Sequence, residues 1–182
     1  MRLSERRHRI TVAIGASCGR RRRAWILDRM TGPSLEIKSP SHPERQAALA
    51  QVQERWGTIV VSRGVVHTLA LLPMLVAVRG ALVGCLTYRH DGPSIEVVTL
   101  DAFIERQGVG TALFRAVLGL ARKVWLVTTN DNLCAQSFYR SQGGTLVAVH
   151  VGAVAYSRKL KPSIPTHGRG GLPIADELQY EW

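Results

Sequence analysis

Ser94–Gly144 reads SIEVVTLDAFIERQGVGTALFRAVLGLARKVWLVTTNDNLCAQSFYRSQGG, and this stretch decides the fold. Ser94–Leu100 is apolar and rich in β-branched residues, the composition of a buried strand. ERQGVG (Glu105–Gly110) is a turn that opens a helix, predicted over Thr111–Arg122 from the spacing of Leu113, Phe114, Val117, Leu118 and Leu120. Val124–Thr128 is a second strand-length apolar run. TNDN (Thr129–Asn132) offers N-cap side chains for a second helix over Leu133–Ser141, and Gly143-Gly144 stops it.

The turn suits an anion. Gly108 and Gly110 leave backbone N–H groups accessible, and a helix N-terminus presents unpaired donors and the positive end of a dipole. A phosphate or pyrophosphate is the natural guest. The turn is not the dinucleotide fingerprint, because the third glycine of G-x-G-x-x-G would fall on Leu113. It is not a P-loop, because no Gly-Lys-Ser/Thr follows.

Asn132, Ala135, Phe138, Tyr139 and Gly143 spell N-x-x-A-x-x-F-Y-x-x-x-G, which resembles the second signature of the GNAT superfamily of acetyl-CoA-dependent N-acetyltransferases. ERQGVGTAL resembles the first signature, which holds the CoA pyrophosphate. RWG (Arg55–Gly57), VVSRG (Val60–Gly64), LVTTNDN and the tail KLKPSIP…GLPI.DE (Lys159–Glu177) resemble a small uncharacterised GNAT subgroup, and the likeness covers most of Leu35–Trp182. Two positions depart from the pattern. Glu105 stands where the first signature has Gln or Arg, with Arg106 beside it as a substitute charge. Gly144 stands where an aromatic usually follows Gly143.

The resemblance implies a fold and a site. The fold is α/β (α+β), a mixed central sheet of about six or seven strands flanked by helices on both faces, with Ser94–Leu100 and Val124–Thr128 splayed at one end. The pyrophosphate is expected on Arg106, Gln107, Gly108, Val109, Gly110 and Thr111, with Asn132 capping the next helix. The pantetheine arm is expected along Val98, Thr99 and Leu100. Tyr139 holds the position of the residue that protonates the leaving thiolate in many GNAT enzymes. The general base stays open. N-terminal acetyltransferases often carry a Glu just after a strand Leu, but here Val127 follows Leu126. Glu96, Asp101 and His67 are the candidates, or water. Strict alternation puts Glu96, Val98 and Leu100 on one face and Asp101 on the other.

The partners so implied are acetyl-CoA as cosubstrate and an unidentified amine acceptor, without a metal. The competing class is a catalytically weak CoA-binding or nucleic-acid-binding module on the same fold.

Composition agrees with a globule. Apolar residues make up 46% of 182, and no apolar run reaches membrane-spanning length. Cys18, Cys85 and Cys134 form neither a disulfide framework nor a zinc pattern, which fits the cytoplasm. The net charge of +11 is uneven: residues 1–30 hold nine arginines against Glu5 and Asp28, so +7 lies there and +4 elsewhere. Residues 1–30 are therefore expected to be a disordered leader, or to lie upstream of a start at Met30. Only through them is nucleic acid a partner. Residues 31–182 form the GNAT-like domain, as a monomer or homodimer.

The remaining elements are predicted in order. Ser34–Lys38 is a strand. A helix runs from Ser41 or His42 to Trp56 with Ala47, Ala48, Leu49 and Val52 inward. Gly57–Pro73 is irregular. Met74–Arg89 is a hairpin. Thr145–Val151 is a strand, Ala153–Leu160 a short helix, Pro162–Pro173 a loop and Ile174–Tyr180 a closing strand.

Overall fold

The computed structural model describes residues 33–182, so the leader, its boundary with the domain and Cys18 lie outside the described residues. The chain runs β1 (Glu36–Lys38), α1 (His42–Trp56), β2 (Ile59–Ser62), β3 (Val65–Thr68), β4 (Met74–Arg79), β5 (Ala81–Asp91), β6 (Ser94–Ala102), α2 (Val109–Leu118), β7 (Val124–Thr129), α3 (Leu133–Ser141), β8 (Thr145–His150), α4 (Ala153–Leu160) and β9 (Glu177–Glu181). Seven strands form one mixed sheet in the order β1-β4-β5-β6-β7-β9-β8, and β2 and β3 pair by themselves.

Helices cover both faces. On one, Val109, Leu113, Phe114 and Val117 of α2 and Ala135 and Tyr139 of α3 bury against Leu86, Ile95, Val97, Leu100 and Leu126. On the other, Ala48, Val52 and Trp56 of α1 pack with Val60, Leu69, Val76, Cys85 and Val98. Glycine sets how closely α2 approaches. A Cβ on Gly84 would stand 2.6 Å from Val109 Cγ1 and 2.7 Å from the Asp101 carbonyl, so a larger residue there would lift the helix off β5.

Several boundaries differ from the sequence reading, each for a local reason. Gly57–Pro73 is not irregular: it holds the β2–β3 hairpin, closed by Arg63 and Gly64, both at positive φ (48° and 74°). This two-residue turn matches strand twist, but Arg-Gly is a weaker signal than Asn-Gly. Ala47 of α1 is exposed, and Trp56 is buried in its place. The helix start is as expected, with the Glu44 carboxylate accepting from both Ser41 N–H and Ser41 Oγ (2.8 Å each). α2 ends at Leu118 because Gly119 closes it, which leaves Leu120 half exposed. β9 begins at Glu177, not Ile174. The N–H groups of Ala175 and Asp176 are taken by Asn130 Oδ1 (2.9 and 3.0 Å) instead of a strand neighbour.

Candidate active site

β6 and β7 run parallel and pair only over Ile95–Val97 and Val124–Leu126. Beyond that point β6 stays with β5, while Val127, Thr128 and Thr129 pair with β9. A gap therefore opens between residues 98–102 and residues 127–129. Beside it β6 carries a bulge: Thr87 of β5 faces Thr99 and Tyr88 faces Val97, so Val98 has no partner of its own. The Thr87 and Thr99 hydroxyls bond each other (2.8 Å).

The bulge shifts the alternation of β6 and corrects the expected faces. Ile95, Val97 and Leu100 join the α2–α3 core, while Val98 joins the α1 core. Glu96 and Asp101 consequently both meet elements of the α1 side. One extra residue between two carboxylates five positions apart is enough to bring them to the same face.

The two carboxylates have different company. Asp101 is clamped by α1, accepting from Trp56 Nε1 (3.0 Å) and from Arg55 (3.1 Å). Burial raises its pKa to about 6 against the opposing pull of Arg55 and Trp56. Glu96 is bound by Arg89 and by Ser62 Oγ (2.5 Å). Ser62 Oγ also lies 2.8 Å from His67 Nε2. The single hydroxyl proton goes to Glu96, so His67 donates to Ser62 and carries its proton on Nε2. Burial lowers the His67 pKa, with Glu96 opposing, so the ring is neutral near pH 7. The structure thus unites Glu96 and His67 through Ser62, and holds Asp101 apart. Glu96, His67, Ser62 and Asp101 are all buried.

Past the C-terminal end of β6, Arg106 (φ 59°) and Gly108 (φ 78°) both adopt left-handed backbone, wrapping the turn into α2. Ala112 N–H is the first to bond within the helix, to Gly108 O (2.9 Å). The N–H groups of Val109, Gly110 and Thr111 thus sit in the first turn, where helical partners are lacking. Gln107 is braced by Arg79 on β4 through its side chain (2.7 Å). The Val109 side chain is buried in the core, so only its backbone serves the turn. Asn132 Oδ1 accepts from Ala135 N–H and caps α3 (3.2 Å).

Tyr139 is fully buried among Phe114, Phe138, Tyr180 and Trp182. Its hydroxyl has no hydrogen-bond partner, and neither has that of Tyr180. Burial, then the Asp101 charge, push the Tyr139 pKa upward. A buried hydroxyl without a partner is costly, so Tyr139 is a core ring with an orphaned polar end. The aromatic missing at Gly144 is replaced from elsewhere: a Cβ there would run into the Trp182 ring, which packs edge-on against Phe114 at 4.8 Å.

A narrow cavity of about 30 Å³ lies on the α1 side, lined by Ser62, Val127, Thr128, Ser157, Lys161 and Glu177 among others. Ser62, Ser157, Lys161 and Glu177 were absent from the sequence reading. Ser62, Lys161 and Glu177 fall in the VVSRG and KLKPSIP…GLPI.DE segments, which carry no motif of their own, and Ser157 in neither.

The family model described as "Acetyltransferase (GNAT) family" matches residues 35–143. The chain belongs to the GNAT family of acetyltransferases. Its relatives in Bacillus subtilis include the uncharacterized protein YdhI, 38% identical over 136 residues, 70% of this chain and 84% of YdhI. The uncharacterized protein YxbD is 35% identical over 134 residues, 69% of this chain and 84% of its own. A GNAT family acetyltransferase from Elizabethkingia anophelis, solved with acetyl-CoA bound, superposes with a TM-score of 0.58 at 13% identity, covering 81% of this chain and 96% of that one. An IAA acetyltransferase from Bacillus cereus gives 0.57 at 13%, covering 81% and 98%. The mixed seven-stranded sheet is thus the GNAT fold.

Proposed function

We propose that this GNAT protein transfers the acetyl group of acetyl-CoA to an amine. One observation carries the reading: β6 and β7 part beside a bulge, at a strand that leads straight into a glycine turn at a helix start. Acetyl-CoA, when bound, supplies a thioester carbonyl open to attack by an amine. The first-turn N–H groups of α2 and Arg106 offer charge to its pyrophosphate. Backbone groups of Val98, Thr99 and Leu100 line the gap for the pantetheine arm. A backbone N–H at the Val98 bulge, beside the gap, is the donor assigned to the oxyanion.

The hydrogen bonds support one choice of acid and base. Tyr139 has a hydroxyl proton and no partner, so it is the group ready to donate to a leaving thiolate. Glu96 is the base, acting through Ser62, which lines the narrow cavity while donating to the carboxylate. His67 positions Ser62. Asp101, held by Trp56 and Arg55, positions α1 against β6. Acetyl-CoA is an intracellular metabolite, so we place the enzyme in the cytoplasm.

The test is a screen of thiol release from acetyl-CoA against amines, amino acids, polyamines, aminoglycosides and peptides. Release above the acceptor-free rate with at least one amine is expected. Tight acetyl-CoA binding with no release for any acceptor would instead favour a CoA-binding module.

A further inference from the structure

The two edges of the main sheet are finished differently. β1 is three residues long and sets Glu36 and Lys38 on either side of Ile37. A short, charged strand is one way proteins keep an edge from pairing. β8, the other edge, has six residues. Thr145–Val151 holds no Asp, Glu, Lys or Arg. Leu146, Val147 and Val149 are exposed, and Val151, just past the strand, is 83% exposed. Among the described residues β8 pairs with β9 alone, so its outer side presents a row of backbone donors and acceptors.

A bulge makes this edge complementary to itself. Residues directly opposite across an antiparallel pair share a face. Leu146 lies opposite Tyr180 and Val149 opposite Leu178, both members of the α2–α3 core. Thr145, Ala148 and His150 lie opposite Glu181, Gln179 and Glu177, on the face where Ser157 of α4 meets Glu177. Leu146 and Val149 are three positions apart, yet they share a face because Val147 is an extra residue in the strand. A two-fold axis through the middle of β8, normal to the sheet, brings Leu146 opposite the partner's Val149 and Thr145 opposite the partner's His150. The faces match in both pairs. In a regular six-residue strand the same full overlap would set residues of opposite faces against each other, and the strands would have to slip by one.

We infer that β8 is the seam of a homodimer, in which two copies pair antiparallel along Thr145–His150 and join their seven-stranded sheets into one. The apolar side chains of Leu146 and Val149 then gain apolar neighbours across the seam, and no charged residue enters it. A segment of the same chain is a poorer occupant. Trp182 is already tied down, its N–H donating to Val124 O (2.9 Å). Residues 1–32 join the domain beside β1, at the opposite edge, six strand spacings or roughly 29 Å away. The nine arginines of residues 1–30 would find no counter-charge on Thr145–Val151. The seam lies two strands from β7 and does not rest on the transferase reading.

The experiment is sedimentation velocity of the full chain from ~1 to ~100 µM. A species of twice the 20.0 kDa chain mass should grow with concentration. Val149→Lys puts two ammonium groups against apolar neighbours and should weaken the dimer by about 100-fold. Leu71→Lys, the same charge on another exposed apolar residue, should leave the dimer intact. The register is read from Leu146→Cys/Val149→Cys in a glutathione redox buffer. Within one strand these positions stand about 10 Å apart, too far for a disulfide, whereas across the seam they are directly opposite. A covalent dimer whose bond maps by mass spectrometry to positions 146 and 149 is expected. Melting curves confirm that each variant is folded, and if Val149→Lys is not, the cysteine pair decides alone. A parent that keeps the single-chain mass throughout would overturn the inference. So would a dimer that survives in folded Val149→Lys, or a dimeric cysteine variant that forms no such bond.

Discussion

The two faces of the sheet were written into the chain in different ways. On the α2–α3 face the glycine turn, the helix it opens, the Asn132 cap and Tyr139 all fall within Glu105–Gly144. On the α1–α4 face the cavity draws Ser62 from a hairpin, with Glu96 of β6 bonded behind it, Ser157 from α4 and Glu177 from β9. Glu177 and the Arg63 N–H it accepts from are 114 positions apart. A local site leaves a spacing that can be read. A site assembled by strand register leaves none, because each residue looks ordinary in its own segment.

The sharpest way to break the comparison is at Glu96, where the assembled face is held to carry the base. Glu96→Gln should lower turnover by ~10³-fold, while acetyl-CoA affinity stays unchanged. Ser62→Ala leaves the Arg89–Glu96 pair intact and should reproduce much of the loss. Normal turnover in both would return the base role to water.

Trp182 tests the other face. Its ring occupies the space left by Gly144, and its indole N–H donates to Gln142 O (3.0 Å). Trp182→Ala should cost about 3 kcal/mol in a denaturant melt. Gly144 does not have a positive φ, so adding Gly144→Phe should return part of the loss by restoring a ring from the family's usual position. No recovery would show that the two aromatics are not interchangeable.

Tyr139→Phe should lower turnover by ~10²-fold while acetyl-CoA affinity stays within a few-fold. The hydroxyl is orphaned, so the free variant should melt no lower than the parent and gain up to about 1 kcal/mol. Unchanged turnover would leave Tyr139 as a core ring only.

The smallest effect is a pH slope. Burial lifts the Asp101 pKa from 3.8 to about 6. Between those values the folded state binds a proton that the unfolded state has lost. This contribution is full at low pH and fades as pH rises through about 6, by up to about 1.4 kcal/mol per pH unit. Subtracting urea unfolding curves of Asp101→Asn from those of the parent, between about pH 4 and 7, should isolate this slope. Equal slopes in the two proteins would mean that Asp101 titrates normally.

How much could be read in advance follows from the same division. The strands β6 and β7, the capped helices and the glycine turn were legible because apolar period, Gly chemistry and N-cap residues act over a few positions, whereas the parting of the two strands was implied by the GNAT resemblance. The faces of Glu96 and Asp101 were not, because the Val98 bulge depends on how β5 meets β6. The β2–β3 hairpin was missed because Arg63 adopts a backbone conformation usually left to Asn or Gly, which its environment enforces: Trp125 under its guanidinium and Glu177 on its N–H. The replacement of an aromatic at position 144 by Trp182 was invisible, since nothing local links the two residues.

The central claim is that acetyl-CoA sits with its pyrophosphate on the first turn of α2. Gly110 tests it, because a Cβ there would stand 4.0 Å from Phe138 Cζ, an ordinary contact, so a side chain fits without disturbing the fold. The measurement is a calorimetric titration of acetyl-CoA into the parent and into Gly110→Asp, with melting curves to confirm that both are folded. A carboxylate in the turn should weaken binding by about 100-fold, through lost donor access and added negative charge. Equal affinity in a folded variant would place the cofactor elsewhere and contradict the account.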